Sequence, residues 1–482
     1  MAPCPFKFNH QPRPKPSMSD ELSQQQHQIA LYYLYTPRPL LQESLSQHIQ
    51  YQNDLCASLS LHGRIRVSCE GINGVLSGRT VDLHQYEERL HDELTRIFAD
   101  SNVEDNGGVG GNGDTSFDLD IKYCKLRPDI PAEQQLFNSL SVKQTREVVS
   151  LYEMKNEPAA NKKGRRGGRQ ARKWRQRQRQ LEQEQQQQQQ QQEKAQEQAV
   201  GSDQFSKQEQ CNGGESNQPS VVPTSPEDID LAAYPPAHHL SPEQWNQQLQ
   251  NEGEGDAVLL DARNVYESKV GHFAVPGVPT LLPNTRKYSS LPAVFDATSE
   301  KLAGKKVYMY CTGGVRCERA SAYLQALADS DRWKGDKPVE IYQLKGGIQR
   351  YLEAYGSMHE DQDKEGATAE SDSMGSKTCL YKGRNFVFDP RRTDPVVGPG
   401  CAGKCILCRV PHDDYDNGHA PCDNKEARCC RCRVLVLICN DCRSKMRCFG
   451  ESEAGDKPDL FCGPNGEECI DEGNNISVDI IQ

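Results

Sequence analysis

The segment Val307-Tyr-Met-Tyr-Cys-Thr-Gly-Gly-Val-Arg316 determines the fold that we predict for the centre of the chain. Its apolar beginning predicts a short buried strand, and the residues after it predict a helix. The loop between them, residues 311–316, is called the nucleophile loop below. It carries Cys311 to the carboxyl edge of a sheet, where α/β proteins form their ligand sites. Gly313 and Gly314 permit a tight turn whose amide N–H groups point inward, and these donors predict a lowered pKa for the cysteine.

Cys311 is therefore the predicted nucleophile, able to accept sulfur as a persulfide or to add to an electrophilic carbon. Arg316 is predicted to close the loop with a guanidinium that suits an anionic group. Thr312 and Val315 complete the loop, and Cys317 follows it either as a resolving thiol or as a structural residue at the start of the helix. A cysteine phosphatase needs a longer loop to surround a phosphate. Only four residues separate the cysteine from the arginine here, which favours sulfur chemistry.

Residues 228–358 around this loop are predicted to form a parallel α/β domain. Short apolar strands such as Val258-Leu-Leu-Asp-Ala262 and Glu340-Ile-Tyr-Gln-Leu344 alternate with helical stretches, which is the pattern of a parallel sheet. Asp261 and Arg263 lie at the end of one strand. We expect them to form a salt-bridged pair that supports the nucleophile loop, with direct contact to substrate as the alternative.

Residues 28–152 are predicted to form a ferredoxin-like α+β domain. Apolar or alternating runs at Ile29–Tyr35 and His62–Cys69 predict strands. Apolar residues spaced by three and four positions between Leu83 and Ile97 predict an amphipathic helix. The element order β-α-β-β-α-β is that of a ferredoxin-like sheet with helices on one face.

We expect this N-terminal domain to bind RNA through basic side chains that neutralise phosphates. Each candidate also has a plain alternative as a solvated surface charge. The candidates, one of which lies in the central domain, are Arg64, Arg66, Lys143, Arg146 and Lys345.

The other segments are too polar to build a core. Only 35% of the 482 residues are hydrophobic. We predict a disordered leader at 1–27, a basic and glutamine-rich disordered linker at 153–227, a second linker at 359–378 and an acidic tail at 451–482. The basic part of the first linker is either a species-specific insertion or a segment for RNA binding or nuclear import.

The composition also limits where the protein acts. A formal charge of −11 argues against a wholly basic nucleic-acid binder. No apolar run approaches the roughly 20 residues that span a membrane, so we expect a soluble, cytoplasmic protein without a membrane partner. An organellar leader is the alternative. The sequence gives no basis for an oligomeric state.

Cysteines concentrate at the end of the chain, where residues 379–450 are predicted to form a zinc-binding region. Twelve of the twenty cysteines lie at or after Cys401, with C-x-x-C spacings. This distribution is typical of thiolate zinc sites. One or two structural Zn²⁺ ions are expected, with Cys401, Cys448, His412 and His419 as alternate ligands and with Cys462 and Cys469 outside the site. The predicted ligands are Cys405, Cys408, Cys422, Cys432, Cys439 and Cys442.

Several stretches of the chain resemble the rhodanese-domain tRNA uridine(34) hydroxylases. In the centre these are Asp261-Ala-Arg-Asn264 with Tyr266-Glu267, Gly271-His-Phe273, Tyr310-Cys-Thr-Gly-Gly-Val-Arg-Cys-Glu318 and Leu344-Lys-Gly-Gly-Ile348. Glu70-Gly-Ile-Asn-Gly74 is similar to the family's N-terminal signature. Tyr381-Lys-Gly-Arg-Asn-Phe-Val-Phe-Asp-Pro-Arg-Arg392 is similar to the segment before its cysteine cluster.

This resemblance implies an acylphosphatase-like N-terminal domain, a central rhodanese domain and a zinc-binding C-terminal segment. It implies oxygen-dependent 5-hydroxylation of the wobble uridine of tRNA, with Cys311 as the catalytic cysteine and molecular oxygen as co-substrate. One alternative is a rhodanese sulfurtransferase that carries a persulfide on Cys311, supplied by thiosulfate or by a sulfur donor protein. A second alternative is a non-catalytic, zinc-containing adaptor.

Overall fold

The computed structural model describes residues 26–36, 39–99, 119–126, 132–151, 234–358, 378–387, 393–415, 427–449, 457–463, 469 and 477–481. All of them lie in one of the two units into which the chain divides, formed by residues 1–153 and 220–482. The predicted leader up to residue 25, the linker at 153–227 and most of the linker at 359–378 lie outside the described residues, as do Cys422 and His419.

The N-terminal domain is a five-stranded sheet with helices on one face. Its elements are β1 (His27–Tyr35), α1 (Gln42–Ser58), β2 (His62–Ser68), β3 (Gly71–Arg79), α2 (Thr80–Ala99), β4 (Lys122–Lys125), α3 (Ala132–Gln135) and β5 (Leu140–Gln144). The strand order is β4-β1-β3-β2-β5, and only the β2–β5 pair is parallel. The predicted ferredoxin-like fold is confirmed, with β5 added beside β2.

The two faces of this sheet have different surroundings. Side chains alternate along each strand, so that Ile65 and Val67 pack with α1 and α2 in the core of the domain. The alternate strand residues point away from α1 and α2, to the opposite face of the sheet. We call it the open face. It includes Leu31, Tyr33, Arg64, Arg66, Asn73, Val75 and Lys122. This face lies against the central domain.

The central domain is a parallel sheet with helices on both sides. Its elements are β6 (His238–Leu240), α4 (Pro242–Asn251), β7 (Ala257–Asp261), α5 (Val265–Ser268), β8 (Gly271–Phe273), β9 (Thr280–Pro283), α6 (Leu291–Leu302), β10 (Lys306–Tyr310), α7 (Val315–Ala328), β11 (Glu340–Leu344) and α8 (Gly347–Tyr355). The parallel order is β9-β7-β10-β11-β6. Strand β10 is therefore central and buried on both faces, as its apolar sequence predicts. The predicted parallel α/β domain is confirmed.

The C-terminal residues return to the central domain at two places. The short strands are β12 (Ser357–Met358), β13 (Tyr381–Phe386) and β14 (Thr393–Val397), and they form a second sheet with β8. A one-turn helix, α9 (Asn440–Arg443), belongs to the cysteine-rich region. Strand β15 (Val478–Ile481) pairs antiparallel with β9, so that residues within the predicted acidic tail form an edge strand of the central sheet.

Among the described residues, no helix combines the length and the apolarity that crossing a bilayer requires.

Candidate active site and cysteine clusters

The nucleophile loop leaves the end of β10 and turns directly into α7. Cys311 is 1% exposed. The backbone N–H of Gly314 donates to its Sγ over 3.1 Å. Gly314 has a φ of 100°, which strongly favours glycine, and this turn aims the amide at the sulfur. The loop thus forms the cradle that its sequence predicts.

The thiol of Cys311 has a lowered pKa. Burial by itself raises this pKa, but the Cys317 thiol, the charge of Arg316 and the backbone N–H groups of Arg316 and Gly314 together lower it to about 6. The direction is the one that the loop sequence predicts. Burial and the neighbouring Cys311 sulfur raise the pKa of Cys317 well above its usual range. The two thiols are therefore unequal, with the negative charge on Cys311.

Arg316 has a protein carboxylate as its partner. Its Nη1 lies 3.0 and 2.9 Å from the two carboxylate oxygens of Glu267, whose side chain is 2% exposed. The hydroxyl of Thr312 donates to the same carboxylate over 3.3 Å. The prediction that Arg316 closes the loop omitted Glu267, which the sequence marks only by its place after Tyr266 in a family-like motif. The arginine thus lies beside the sulfur while its charge is largely matched.

The start of α8 supports the loop from the other side. The backbone N–H of Ile348 donates to the carbonyl of Cys311 over 3.0 Å. Gly347 has a φ of 65°, and a Cβ at this position would lie only 2.6 Å from the carbonyl oxygens of Cys311 and Thr312. Gly347 is thus required by close backbone approach, and Gly346 has a positive φ of 71°, which also favours glycine.

Asp261 and Arg263 form the expected salt bridge beneath the loop. Both side chains are fully buried, and Nη2 of Arg263 lies 2.7 Å from Oδ2 of Asp261. The same nitrogen donates to the carbonyl of Gly271 over 2.6 Å. Asp261 is the register partner of Tyr310, the residue before Cys311. The pair therefore connects the end of β7 to the start of β8, next to the point where the nucleophile loop leaves β10.

A cavity of about 130 Å³ lies between the open face of the N-terminal sheet and the nucleophile loop. We call it the sheet–loop cleft. From the open face it is lined by Leu31, Tyr33, Arg64, Arg66, Asn73, Val75 and Lys122, and from the loop by Gly313 and Val315. The hydroxyl of Tyr33 donates to Glu318 over 3.0 Å, which fixes the aromatic ring beside Gly314.

The predicted RNA contacts are distributed unevenly around this cleft. Arg64 and Arg66 are exposed and line it. Lys143, also exposed, is the register partner of Arg66 on β5. Arg146 and Lys345 are exposed and lie outside the lining. Sequence reasoning missed Tyr33, Asn73 and Lys122, because only the assembled domains place them opposite the loop.

Ion pairs connect the two domains around the cleft. Arg319 on α7 pairs with Glu70, in the turn between β2 and β3, and lies 3.3 Å from Glu147. Arg350 on α8 donates to Asp120 before β4 over 2.9 Å. Because these helices also contact the nucleophile loop, the open face has a fixed position over it.

Eight C-terminal cysteines form two clusters of four. The first cluster is Cys405, Cys408, Cys439 and Cys442, and the second is Cys429, Cys432, Cys462 and Cys469, with the sulfurs of each cluster within 4.8 Å of one another. Four thiolates at a Zn–S distance of about 2.3 Å lie about 3.8 Å apart. Both clusters therefore fit a tetrahedral zinc site.

The clusters change the predicted ligand set. Cys462 and Cys469, expected to lie outside the site, complete the second cluster together with Cys429, which the set omitted. Cys405, Cys408, Cys439 and Cys442 lie together as expected, and Cys432 belongs to the second cluster. The isolated spacing of Cys462 and Cys469 carries no knuckle pattern, so only tertiary structure reveals their role.

A repeated turn builds half of each cluster. Arg409 and Arg433 each follow a C-x-x-C pair and have φ values of 63° and 66°. Each donates its N–H to the carbonyl of the first cysteine of its pair over 3.0 Å. The two turns are thus equivalent, and one belongs to each cluster.

Comparisons with known proteins place the folded domains in a class. The UPF0176 acylphosphatase like domain matches residues 27–148, and the Rhodanese-like domain matches residues 243–354. The chain is therefore a rhodanese-like protein with an acylphosphatase-like domain in front.

Three relatives are similar to large parts of the chain. Rhodanese-like domain-containing protein 6 of Arabidopsis thaliana is 30% identical over 88% of this chain and 52% of its own length. The tRNA uridine(34) hydroxylase of Chlamydia muridarum is 35% identical over 46% of this chain and 55% of its own length. That of Aster yellows witches'-broom phytoplasma is 27% identical over 83% of this chain and 86% of its own length. The chain is therefore similar to the rhodanese-domain proteins that include the tRNA uridine(34) hydroxylases, and it spans only about half the length of the first two relatives.

Proposed function

We propose that this chain is a tRNA-modifying enzyme that hydroxylates the wobble uridine at C5, with Cys311 as the nucleophile and molecular oxygen as co-substrate. The observation that carries the proposal is a cysteine with a pKa of about 6 next to a cleft that is lined by arginines of a second domain. The names of the two bacterial relatives support the same substrate and reaction. A cytoplasmic location fits a tRNA substrate.

The proposed reaction begins with addition of the Cys311 thiolate to C6 of uridine. Electrons move to O4 and give C5 carbanion character, which lets C5 combine with oxygen and take up a proton to become a hydroperoxide. A thiol reductant supplies two electrons and two protons, so that the hydroperoxide becomes a hydroxyl group and water leaves. Loss of the C5 proton and of the C6–S bond restores the ring and the thiolate.

The surrounding residues hold the nucleophile in its reactive state. The N–H of Gly314 and the neighbouring thiol of Cys317 stabilise the anionic sulfur. Glu267 fixes Arg316 next to it, and the pair Asp261–Arg263 fixes the strand ends below. Each of these residues positions the loop, whereas Cys311 forms the bond.

We further propose that each cysteine cluster holds one structural Zn²⁺. A closed site of four thiolates leaves no open position for substrate and contributes to folding. The first ion would bind Cys405, Cys408, Cys439 and Cys442. The second would bind Cys429, Cys432, Cys462 and Cys469.

Nucleoside mass spectrometry tests the proposed activity. We expect the chain to restore 5-hydroxyuridine to tRNA in a bacterial strain that lacks its own family enzyme. Cys311→Ser protein at equal abundance should restore none. Soluble wild-type protein that leaves 5-hydroxyuridine absent would contradict the proposal.

Sulfur transfer is the second candidate, favoured by the match to the rhodanese-like domain and by the short cradle around the sulfur. In this reaction Cys311 takes the outer sulfur of thiosulfate, releasing sulfite, and passes it to an acceptor. Thiocyanate formation from thiosulfate and cyanide measures it directly. Rapid thiocyanate formation by a protein that does not modify tRNA would favour this candidate.

A further inference from the structure

The sheet–loop cleft has the size and the lining of a site for one nucleobase. Its volume of about 130 Å³ gives room for a pyrimidine ring. Leu31, Val75 and Val315 provide apolar surface, and the ring of Tyr33 provides an aromatic one. A base that enters must leave its own stack, and such walls replace the lost contacts.

Two polar side chains in the lining suit the edge of uracil. Asn73 donates one N–H to the carbonyl of Val148 over 3.3 Å. Its amide has a second N–H and a carbonyl oxygen, the complements of O4 and N3–H of uracil. The strand register holds Asn73 on the open face between Tyr33 and Arg66. An amide at this place can therefore read the base.

Lys122 adds a positive charge to the same cleft. The side chain is 2% exposed, and its Nζ lies 2.8 Å from a carboxylate oxygen of Asp120 and 5.4 Å from the ring centre of Tyr33. Nζ also donates to the backbone carbonyl of Asp120 over 3.2 Å. An ammonium group has three N–H donors, so one is left for a ligand.

The charge that develops during thiolate addition needs such a cation. Addition at C6 places negative charge on O4 of the uracil ring. Arg316 is matched by Glu267 through a two-oxygen contact, whereas Lys122 shares the single carboxylate of Asp120 with Arg350. Lys122 is the buried cation that lines the cleft opposite Gly313. Fixed donors at a developing oxyanion are among the strongest catalytic contributions.

We propose that the sheet–loop cleft binds the unstacked uridine, with Asn73 reading the base edge and Lys122 contacting O4. Arg64 and Arg66 hold the adjoining phosphates at its mouth. This inference rests on the proposed function, since it assigns the substrate contacts of that reaction.

Kinetics of a charge-removing variant test the role of Lys122. Lys122→Met keeps the length of the side chain and removes the ammonium, and removing one such donor lowers kcat by about 100-fold or more. We expect this loss in kcat with KM for tRNA within about twofold, because Arg64 and Arg66 remain. Lys125→Met, an exposed lysine on the same strand, is the matched control and should keep wild-type kinetics. Wild-type kcat in folded Lys122→Met protein would overturn the role of Lys122.

Equilibrium binding tests the pocket without any turnover. Anticodon stem-loop RNAs that differ only in U34 or C34 are titrated against Cys311→Ser protein. We expect a preference for U34 of about tenfold or more. Asn73→Asp replaces the amide by a carboxylate, which accepts from the cytosine amino group. This variant should therefore bind the U34 and C34 RNAs about equally.

The two tests separate the inference from the reaction. An unchanged preference for U34 in folded Asn73→Asp protein would overturn the pocket. If Lys122→Met does not fold, as circular dichroism would show, the binding preference decides alone. If wild-type protein hydroxylates no tRNA, the proposed function fails, while the RNA preference still supports or overturns the pocket.

Discussion

Cys311 and the eight cluster cysteines have the same side chain but opposite surroundings. Around Cys311 the partners of the sulfur are N–H groups, one thiol and a nearby guanidinium, and two residues of its loop, Gly313 and Val315, line a cleft. Each cluster sulfur has three further sulfurs within 4.8 Å. A thiolate that meets donors stays nucleophilic, whereas one that meets other thiolates shares a metal. The number of neighbouring sulfurs therefore distinguishes Cys311, the proposed nucleophile, from the eight cysteines with a proposed structural role.

The largest effect is expected from removal of the Cys311 thiolate, which leaves both cysteine clusters unchanged. Cys311→Ser should abolish tRNA modification, because a serine hydroxyl is not ionised at neutral pH. Zinc content and thermal stability should stay at wild-type values, since the serine fits the same cradle. Residual 5-hydroxyuridine in tRNA treated with this variant would exclude Cys311 as the nucleophile.

Replacing a cluster cysteine by serine should instead reduce metal binding and stability and leave the reactivity of Cys311 unchanged. Cys439→Ser should lower the zinc content from two ions to one per chain. It should also destabilise the C-terminal region by several kcal/mol, because structural zinc contributes folding free energy. Plasma mass spectrometry and thermal unfolding measure the two effects. Cys401→Ser, an exposed thiol outside both clusters, is the control; equal zinc content in both variants would contradict the site.

The pH dependence of alkylation tests the charge on Cys311. With a pKa of about 6, the thiolate predominates at neutral pH and is lost as the pH falls. The rate of reaction with iodoacetamide should be level above this pH and should fall about tenfold per pH unit below it. Mass spectrometry of the peptide that contains Cys311 gives the rate at each pH. A midpoint near 8.5, the ordinary value for cysteine, would contradict the cradle.

Cys317 should give the smallest effect. Its thiol lowers the pKa of Cys311 more than Arg316 does, although burial has the largest influence and acts in the opposite direction. Cys317→Ala should therefore shift the alkylation midpoint upward by about one unit, the value of one hydrogen bond to a charged group. Cys56→Ala, which removes a buried thiol of the N-terminal domain, should leave the midpoint unchanged. If the midpoint stays near 6 in Cys317→Ala, the Cys317 thiol does not lower the pKa of Cys311 and only fills space in the core.

Local sequence was sufficient for features that one strand, turn or helix determines. The cradle at Gly313 and Gly314 and the knuckle at Cys405 to Cys408 are of this kind, because their spacing fixes their geometry. The expected Asp261–Arg263 pair also spans only three residues. Such features need no knowledge of how distant segments meet.

Features that join distant segments were not predictable. Glu267 meets Arg316 through a separation of 49 residues, and Tyr33 meets Glu318 through 285. Cys462 and Cys469 complete the second cluster without any local spacing rule. In each case the sequence shows the functional group, but its partner is determined by how the domains pack.

Strand β15 has a consequence for synthesis of the protein on the ribosome. It pairs with β9, and its first residue, Val478, lies 195 positions after Pro283, its register partner. At about 5–20 residues per second, the outer edge of β9 stays unpaired for roughly 10–40 s after it is made. An unpaired edge is a template for strands of other chains. Messages that stop before codon 478 should therefore yield aggregating products even when every residue of the nucleophile loop is present.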